Sequence, residues 1–384
     1  MSIKKRKVCF VLTSKIHYGR SKYILEELKK RDDIDLQIVV GASAILPQYG
    51  NILKQMEADG FPCHAKITMN VEGGNSISMA KTTGLGILEF TNVFENLNPD
   101  IVVVRGDRYE VLSASVAAAY TNRTLAHIEG GDISGNIDES VRHAITKLSH
   151  YHFTTNDDSK NRVLKMGERP DTVFNFGSPD IEFVSRANGQ IVNEELNYFG
   201  VGANVDISRP YIVVMQHPVT SEVGNNRANV KETLYAVKDF GMQAFWFWPN
   251  IDAGTDELSK GIRTFRESES PQNIHFFTYL PPEKFIALLK GAVCLLGNSS
   301  AGIKECSFLG VPVINIGSRQ EGRTKGGHIV DVNYNRIEIH NALRHQSSRG
   351  RFPHNLYFYK EGTARNIAEK LAVAPLYIQK KLTY

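Results

Sequence analysis

Three acidic residues stand at the points where predicted elements of regular structure end or begin. Asp107 and Glu129 each end a short apolar run, and Asp138 opens the helical stretch that follows. Such runs are typical of buried parallel strands, and ligands of open α/β sheets bind beyond the carboxyl ends of the strands. We therefore expect the three carboxyl groups to share one cleft, where different protonation states would let them move protons on a substrate.

Each of these acids also has a purely structural interpretation. Asp107 can be a loop acid, Glu129 a strand-end acid with internal partners, and Asp138 a helix N-cap, a position that favours Asp. The turns around them contain glycines that leave room for a ligand, namely Gly106, Gly130, Gly131 and Gly135. This setting favours an enzyme cleft over three unrelated structural acids.

Residues 295–305 predict an anion site. The segment passes from a strand through small polar residues into a helix. Backbone N–H groups at the helix start, the helix dipole and the hydroxyls of Ser299 and Ser300 would hold a phosphate, and Gly302 would let it approach closely. Glu305 lies further into the helix, where a carboxylate can accept both hydroxyls of a ribose. The structural alternative is an ordinary Ser-capped helix with a solvated acid.

Other predicted strand ends in this half of the chain also carry hydrogen-bonding groups, at residues 216–218, 249–252 and 317–323. Strand-end turns are where an open sheet binds its ligand. His217, Arg319 and Arg323 in these turns suit a diphosphate, although each alone can be a surface charge.

The composition bounds the class of protein. A chain of 384 residues exceeds the size at which single cores stop growing, so two domains are expected. The formal net charge is only +4 and no basic cluster is interleaved with aromatic residues, which argues against nucleic acid as a partner. No apolar run is long enough to cross a bilayer, and four scattered cysteines form no CxxC pair. We expect a cytoplasmic protein without a membrane partner.

The order of the predicted elements gives the fold class. Strand-like runs alternate with helical stretches in two series, which predicts two doubly wound Rossmann-like α/β domains facing across a cleft. The predicted helix starts of the first series include Ser21, Ser76 and Tyr109, and the second series includes a helix over residues 300–309. The polar stretch 187–209 reads as the junction. We expect domains at 1–186 and 187–362, with a helical segment at 363–384 packing back on the first.

Motifs for common cofactors are missing from the sequence. The turn after the first strand lacks GxGxxG, and the anion segment lacks a Walker A lysine. His127 and Glu129 form an HxE pair that no PCxxC completes, and the histidines between residues 143 and 152 lack HExxH spacing. We therefore expect neither a nicotinamide cofactor nor a metal.

Six segments, taken in order, resemble the hydrolysing UDP-N-acetylglucosamine 2-epimerases of sialic acid synthesis. They are RGDR at 105–108, HIEGGD at 127–132, residues 137–148, QHPVT at 216–220, PNIDAG at 249–254 and GNSS at 297–300. The Glu-Gly-Gly sequence at 129–131 is similar to the hydrolysing branch, because the non-hydrolysing branch typically has Glu-Ala-Gly-Leu-Arg there. The resemblance implies a GT-B-like fold and conversion of a UDP-sugar and water into UDP and free N-acetylmannosamine.

The resemblance also implies the acid/base residues and the nucleotide contacts His217, Asn250, Ser299, Ser300, Glu305 and Arg323. It places the acid/base carboxylates on Asp107, Glu129 and Asp138, and we expect a homodimer or homotetramer. The expected binding residues for the UDP-sugar are Lys15, Arg142, His143, His217, Asn250, Asn298, Ser299, Ser300, Gly302, Glu305, Arg319 and Arg323.

One departure from the family pattern concerns the first strand-to-helix turn. Family members usually carry an Arg followed by Asp-Tyr or Glu-Tyr, where this chain has Lys15 and then Ile-His-Tyr. Lys can meet a phosphate as a point charge but cannot make the two-pronged contact of Arg. The alternatives that stay open are a UDP-diacetamido-trideoxyhexose substrate, a non-hydrolysing epimerase, a metal-dependent hydrolase and a non-catalytic nucleotide-sugar binding module.

Overall fold

The computed structural model of the chain describes residues 4–46, 52–73, 75–134, 137–219, 222, 224–249 and 254–383. These residues form two α/β units, each built around a sheet of seven strands. This confirms the two doubly wound units expected from the sequence. The domain boundaries at residues 186 and 362 stay a prediction.

The first unit contains a wholly parallel sheet. Its strands are β1 (Arg6–Leu12), β2 (Ile34–Gly41), β3 (Ala65–Ile67), β4 (Ile101–Arg105), β5 (Thr124–Ile128), β6 (Tyr151–Thr154) and β7 (Val173–Asn175). Its helices are α1 (Lys15–Lys29), α2 (Ile52–Ala58), α3 (Ser76–Leu97), α4 (Tyr109–Tyr120), α5 (Ile137–Leu148), α6 (Asp157–Lys165) and α7 (Pro179–Arg186). The strand order is β3-β2-β1-β4-β5-β6-β7.

The apolar runs form strands because both faces of this sheet are covered. Val102 of β4 faces a core that contains Phe90 of α3, whereas Val103 faces a second core that contains Leu25 of α1. Successive side chains of a strand point to opposite faces, so a continuous apolar run serves both cores.

The second unit repeats this plan. Its strands are β8 (Gly200–Gly202), β9 (Tyr211–Met215), β10 (Gln243–Phe247), β11 (Ile274–Phe277), β12 (Cys294–Gly297), β13 (Val313–Ile316) and β14 (Ile329–Val332). Its helices are α8 (Asn193–Phe199), α9 (Asn226–Phe240), α10 (Thr255–Glu269), α11 (Pro282–Gly291), α12 (Glu305–Leu309) and α13 (Arg336–Arg349). The order is β14-β13-β12-β9-β10-β11-β8, and β8 pairs antiparallel with β11.

A final helix, α14 (Thr363–Val373), returns to the first unit. Its residues Ile367 and Leu371 lie in the same core as Leu25 of α1. Arg6 of β1 donates to the carbonyls of Leu371 at 2.7 Å and Ala374 at 2.8 Å, which satisfies carbonyl groups at the end of the helix.

Several element boundaries differ from the sequence prediction. The first helix begins at Lys15 rather than Ser21, because Ser14 caps it and accepts the N–H of His17 at 3.3 Å. The polar stretch 187–209 contains α8 and the edge strand β8. Residues 300–309 form a 3-10 turn (Ser300–Gly302) and the short α12 instead of one helix. No described helix combines the length and hydropathy needed to cross a bilayer.

Candidate active site

A cleft with a cavity of about 370 Å³ lies between the two units. In each sheet the strand order reverses beside the first strand, between β1 and β4 in one unit and between β9 and β12 in the other. Loops that follow these strands diverge and leave a crevice, which is the usual ligand position in such sheets. Residues after all four strands line the cleft, among them Lys15, Asp107, His217 and Ser299.

The three acids predicted from the sequence all line this cleft. Asp107 follows β4, Glu129 follows β5, and Asp138 lies in the first turn of α5. Asp138 is the second residue of that helix rather than its cap, so its carboxyl group still lies at the end that favours a negative charge.

Glu129 bridges the two units. Its carboxylate accepts Arg105 Nε at 2.9 Å from its own unit and Lys304 Nζ at 2.7 Å from the second unit. Burial alone would raise the pKa of Glu129, but Arg105 and Lys304 hold it well below its usual range. Its backbone has φ +73°, in the left-handed region that costs a residue other than glycine energy.

Asp107 pairs with Arg142, whose other nitrogen donates to the carbonyl of Asp132 at 2.7 Å. Burial opposes the charge of Asp107, yet Arg142 and Arg323 lower the pKa of its carboxyl group. Arg142 is thus buried between two acidic segments and fixes their relative position. Neighbouring cations therefore favour the charged form of both Asp107 and Glu129.

The second unit supplies the hydroxyl and basic groups of the cleft. His217, Ser299, Ser300, Glu305, Arg319 and Arg323 all line it, as predicted from the strand-end turns. Glu305 pairs with Arg20 of α1, and burial raises the pKa of its carboxyl group despite that partner. Within the described residues, Glu305 Oε2 and Arg323 Nε are buried without a hydrogen-bond partner, and both are suited to a polar ligand.

Lys15, at the start of α1, contacts an apolar wall of the cleft that the second unit forms. Its ammonium group lies over the ring of Tyr279, and burial lowers the pKa of Lys15 to about 7. Phe247, Trp248 and Leu280 continue this apolar wall. Such a surface is suited to a flat ring, and the hydroxyls and arginines are suited to phosphate groups.

Three predicted binding residues lie outside the cleft lining that the described residues form. Asn298 is fully buried and bonds the backbone of His217, accepting its N–H at 2.7 Å and donating to its carbonyl at 2.9 Å. A side chain at Gly302 would meet Val313 at 2.9 Å, so the absence of a side chain lets this segment pack closely against β13. His143 lies 3.8 Å from Glu139 on another part of α5.

The anion site also differs in its backbone. Because α12 has only five residues and starts after the 3-10 turn, its dipole is small, and the hydroxyls and arginines are left to bind an anion. Asn250 lies outside the described residues. No group of three or more His, Cys, Asp or Glu among the described residues is arranged to hold a metal.

Sequence reasoning missed five charged residues of this region: Arg20, Arg105, Asp132, Asp180 and Lys304. Arg105 and Asp132 lie inside the motifs around the acids, so their positions carried a signal. Asp132 accepts Ser159 and Thr155 hydroxyls at 2.5 and 3.1 Å and lies 3.1 Å from Lys304. Arg20 and Asp180 gave no local signal, because their partners are distant in sequence.

Comparison with known proteins agrees with this geometry. A sequence profile described as UDP-N-acetylglucosamine 2-epimerase matches residues 26–372. The chain belongs to the UDP-N-acetylglucosamine 2-epimerase family. Among its relatives in this epimerase family is the UDP-N,N'-diacetylbacillosamine 2-epimerase (hydrolyzing) of Legionella pneumophila, 31% identical over 97% of both chains. The UDP-N-acetylglucosamine 2-epimerase of Neisseria meningitidis serogroup B is 29% identical over 96% of this chain and 94% of its own.

The fold agrees with solved structures of the epimerase family. The UDP-GlcNAc 2-epimerase of Methanocaldococcus jannaschii, solved with UDP-GlcNAc and UDP, superposes with a TM-score of 0.79 at 19% identity, covering 95% of this chain and 99% of that one. The GT-B-like, two-domain α/β architecture expected from the sequence is confirmed.

Proposed function

We propose that this chain is a hydrolysing 2-epimerase that converts UDP-N-acetylglucosamine and water into UDP and N-acetylmannosamine, a precursor of sialic acids and related sugars. The observation that carries the proposal is that the two sides of the cleft bear different chemical groups. Asp107, Glu129 and Asp138 line the first unit's side, and hydroxyl and basic groups for a diphosphate line the other. Such a cleft can act on a sugar carbon and release its diphosphate in the same step.

The chemistry begins with elimination. The hydrogen at C2 of the sugar is only weakly acidic, so its removal requires the C1–O bond to the diphosphate to break at the same time. The C2–H electron pair becomes the C1–C2 double bond, the bond pair of C1–O leaves with UDP, and the base keeps the proton. Positive charge develops at C1, where a nearby carboxylate stabilises it, while the basic side chains stabilise the diphosphate.

Hydration completes the reaction. A proton adds to C2 of the glycal from the opposite face, and water adds its hydroxyl to C1 and returns its proton to the enzyme. The product is the epimerised free sugar. A base on one face and an acid on the other need two carboxyl groups in different states, for which Asp107 and Glu129 are the candidates. Asp138, in the first turn of α5, is assigned to charge stabilisation or water orientation.

A second substrate is favoured by two observations. Lys15 stands where the family usually has Arg, and the Legionella relative is described as acting on UDP-N,N'-diacetylbacillosamine. A UDP-2,4-diacetamido-2,4,6-trideoxyhexose is therefore the alternative substrate of the same hydrolysing reaction. Parallel incubations with the two UDP-sugars, followed by NMR of the products, decide between them.

The same incubations test the reaction type. In D2O the free sugar should carry one deuterium at C2, and excess UDP should not return it to the nucleotide sugar. UDP-N-acetylmannosamine as the product would identify a non-hydrolysing epimerase. UDP-sugar that raises the melting temperature without release of UDP would identify a binding module.

The three acids are tested separately. We expect Asp107→Asn, Glu129→Gln and Asp138→Asn each to lower kcat by ~100-fold or more, while calorimetry still detects UDP binding. Near-normal turnover in two of these variants would refute the assignment.

A further inference from the structure

Six charged side chains form a closed ion ring between the units. In order they are Lys304, Glu129, Arg105, Asp180, Arg20 and Glu305. The contacts are 2.7 Å from Lys304 to Glu129, 2.9 Å from Glu129 to Arg105 and 3.4 Å from Asp180 to Arg20, together with the pairs Arg105–Asp180 and Arg20–Glu305. Because Lys304 and Glu305 are consecutive in the chain, the backbone closes the ring.

The ring is divided unequally between the units. Four members belong to the first unit, and the second unit contributes only the Lys304–Glu305 pair. The side chains of Lys304 and Arg105 are 7% and 1% exposed, so each charge depends on its partners rather than on water. If the units separated, Glu129 would keep Arg105 but lose Lys304.

The position of Lys304 is fixed by its neighbours in the chain. It precedes α12 directly and follows the 3-10 turn that starts at Ser300. Ile303 packs in a small core with Ile181 and Phe358, which anchors the backbone beside it. One short segment therefore carries a candidate phosphate contact, Ser300, and the cation that meets Glu129.

We propose that Lys304 is a positioning residue that keeps the Glu129 carboxyl group charged and oriented, so that this group is competent only while the two units are in contact. The inference rests on the proposed acid/base role of Glu129. Lys304 itself is placed to act through Glu129 and Asp132, since its ammonium lies 2.7 and 3.1 Å from their carboxylates.

The surroundings of Glu129 decide which way its titration moves. The charged and titratable groups around it include Arg105, Lys304, Arg20, Asp107, His17 and His127. Asp132 shares the ammonium group of Lys304 with Glu129 and loses it in the same variants. Burial lowers the pKa of both histidines to about 3, so both are neutral at working pH. Removing the charge of Lys304 leaves burial and Asp107 opposed mainly by Arg105, and the pKa of Glu129 rises.

The experiment compares Lys304→Met and Lys304→Arg with the wild type, measuring UDP release from neutral pH down to about pH 3, because the pKa of Glu129 in the wild type lies well below its usual range. Circular dichroism checks that each protein stays folded over this range. Lys238→Met, which removes an ion pair with Glu269 within the second unit, is the matched control. We expect the acid limb of kcat for Lys304→Met to move up by about one pH unit or more, because an opposite charge at this distance changes a pKa by that amount. The ratio of wild-type to variant activity then grows as the pH falls. It reaches about tenfold on the acid side of both profiles if the acid limb of the variant lies one pH unit above that of the wild type.

Lys304→Arg should restore most of the profile, and calorimetry should find UDP affinity changed less than about threefold in all variants. A ratio that stays constant with pH, or an equal loss in Lys304→Arg, overturns the proposal. If Lys304→Met yields no folded protein, Lys304→Gln is measured in the same way, since it keeps a hydrogen-bonding group without the charge. A wild type that releases no UDP from either sugar refutes the proposed function instead.

Discussion

The side chain of Asn298 holds the backbone of His217 at both of its polar groups, and this clamp makes a quantitative prediction. Its oxygen accepts the N–H of His217 at 2.7 Å and its nitrogen donates to the carbonyl at 2.9 Å. The carbonyl of Asn298 accepts Arg319 at 3.0 Å and Gln320 at 2.9 Å. One buried residue thus ties the ends of β9 and β12 to the loop that follows β13.

Replacement by alanine removes both side-chain bonds. The N–H and the carbonyl of His217 each lose a buried hydrogen bond, and such a loss costs ~1–3 kcal/mol. The free energy of unfolding of the unliganded protein should therefore fall by ~2–6 kcal/mol, towards the lower figure where water fills the space. UDP should also bind more weakly, because His217 loses its fixed backbone in the cleft.

The assay is denaturant unfolding without ligand together with calorimetry of UDP binding. Asn92→Ala, at an exposed position of α3, is the control and should change neither quantity. If Asn298→Ala weakens UDP binding but leaves the unfolding free energy unchanged, Asn298 contacts the ligand directly, as the sequence first suggested. If neither quantity changes, the clamp has no energetic role.

Three further predictions concern the cleft and the fold. Ser300→Ala and Glu305→Ala should each weaken UDP binding by ~1–3 kcal/mol, because each removes a group suited to form a hydrogen bond with the charged nucleotide. If calorimetry finds the UDP affinity of both variants unchanged, the nucleotide binds elsewhere. Glu129→Gly and Glu129→Ala should both be inactive. The glycine variant should be more stable than the alanine variant by ~1–2 kcal/mol, because residue 129 has φ +73°. Equal melting temperatures of the two variants would argue against backbone strain at this position. Burial opposes the charge of Glu168, yet hydrogen bonds from His152, Lys147 and Lys380 lower its pKa from 4.5 to about 2. The ionised carboxylate of Glu168 therefore stabilises the fold at pH values above the pKa that Glu168 has in the unfolded chain. The difference in unfolding free energy between wild type and Glu168→Gln should shrink as the pH falls from about 4.5 to about 2. A difference that stays constant with pH would contradict this electrostatic contribution.

The sequence was informative where function follows local pattern. Asp107, Glu129 and Ser299 could be placed in the cleft because each comes one or two residues after an apolar strand, and strand ends meet at one edge of a sheet. The helical segment predicted within residues 363–384 is present as α14, which begins at Thr363 and ends at Val373.

Other features depend on packing that is distant in sequence. Asp180 meets Arg105 across 75 positions and Arg20 meets Glu305 across 285, so no local pattern reveals either pair. The start of α1 was missed because Gly19 interrupts the helical pattern. That glycine lies where a Cβ would be 2.9 Å from Pro282 of the second unit.

Motif membership also does not fix the direction of a side chain. Gly302 and Asn298 belong to the same strand-end segment as Ser299, but they face the interior. The edge strand β14 and the largely polar α13 were not predicted, because neither bears a strong apolar stripe.

The return of α14 to the first unit has a consequence for how the protein is made. The connection that leads back from the second unit lies against the first unit, where the N–H of Ser178, just before α7, donates to the carbonyl of Phe358 at 2.8 Å. During synthesis on the ribosome, every strand of the second sheet emerges before the helix that completes the first. We therefore expect the unit that is translated first to finish folding last. The core around Leu25 stays incomplete until Ile367 and Leu371 pack into it. We expect the first unit expressed alone to be stable only if residues 363–383 are fused to it through a linker that replaces the second unit.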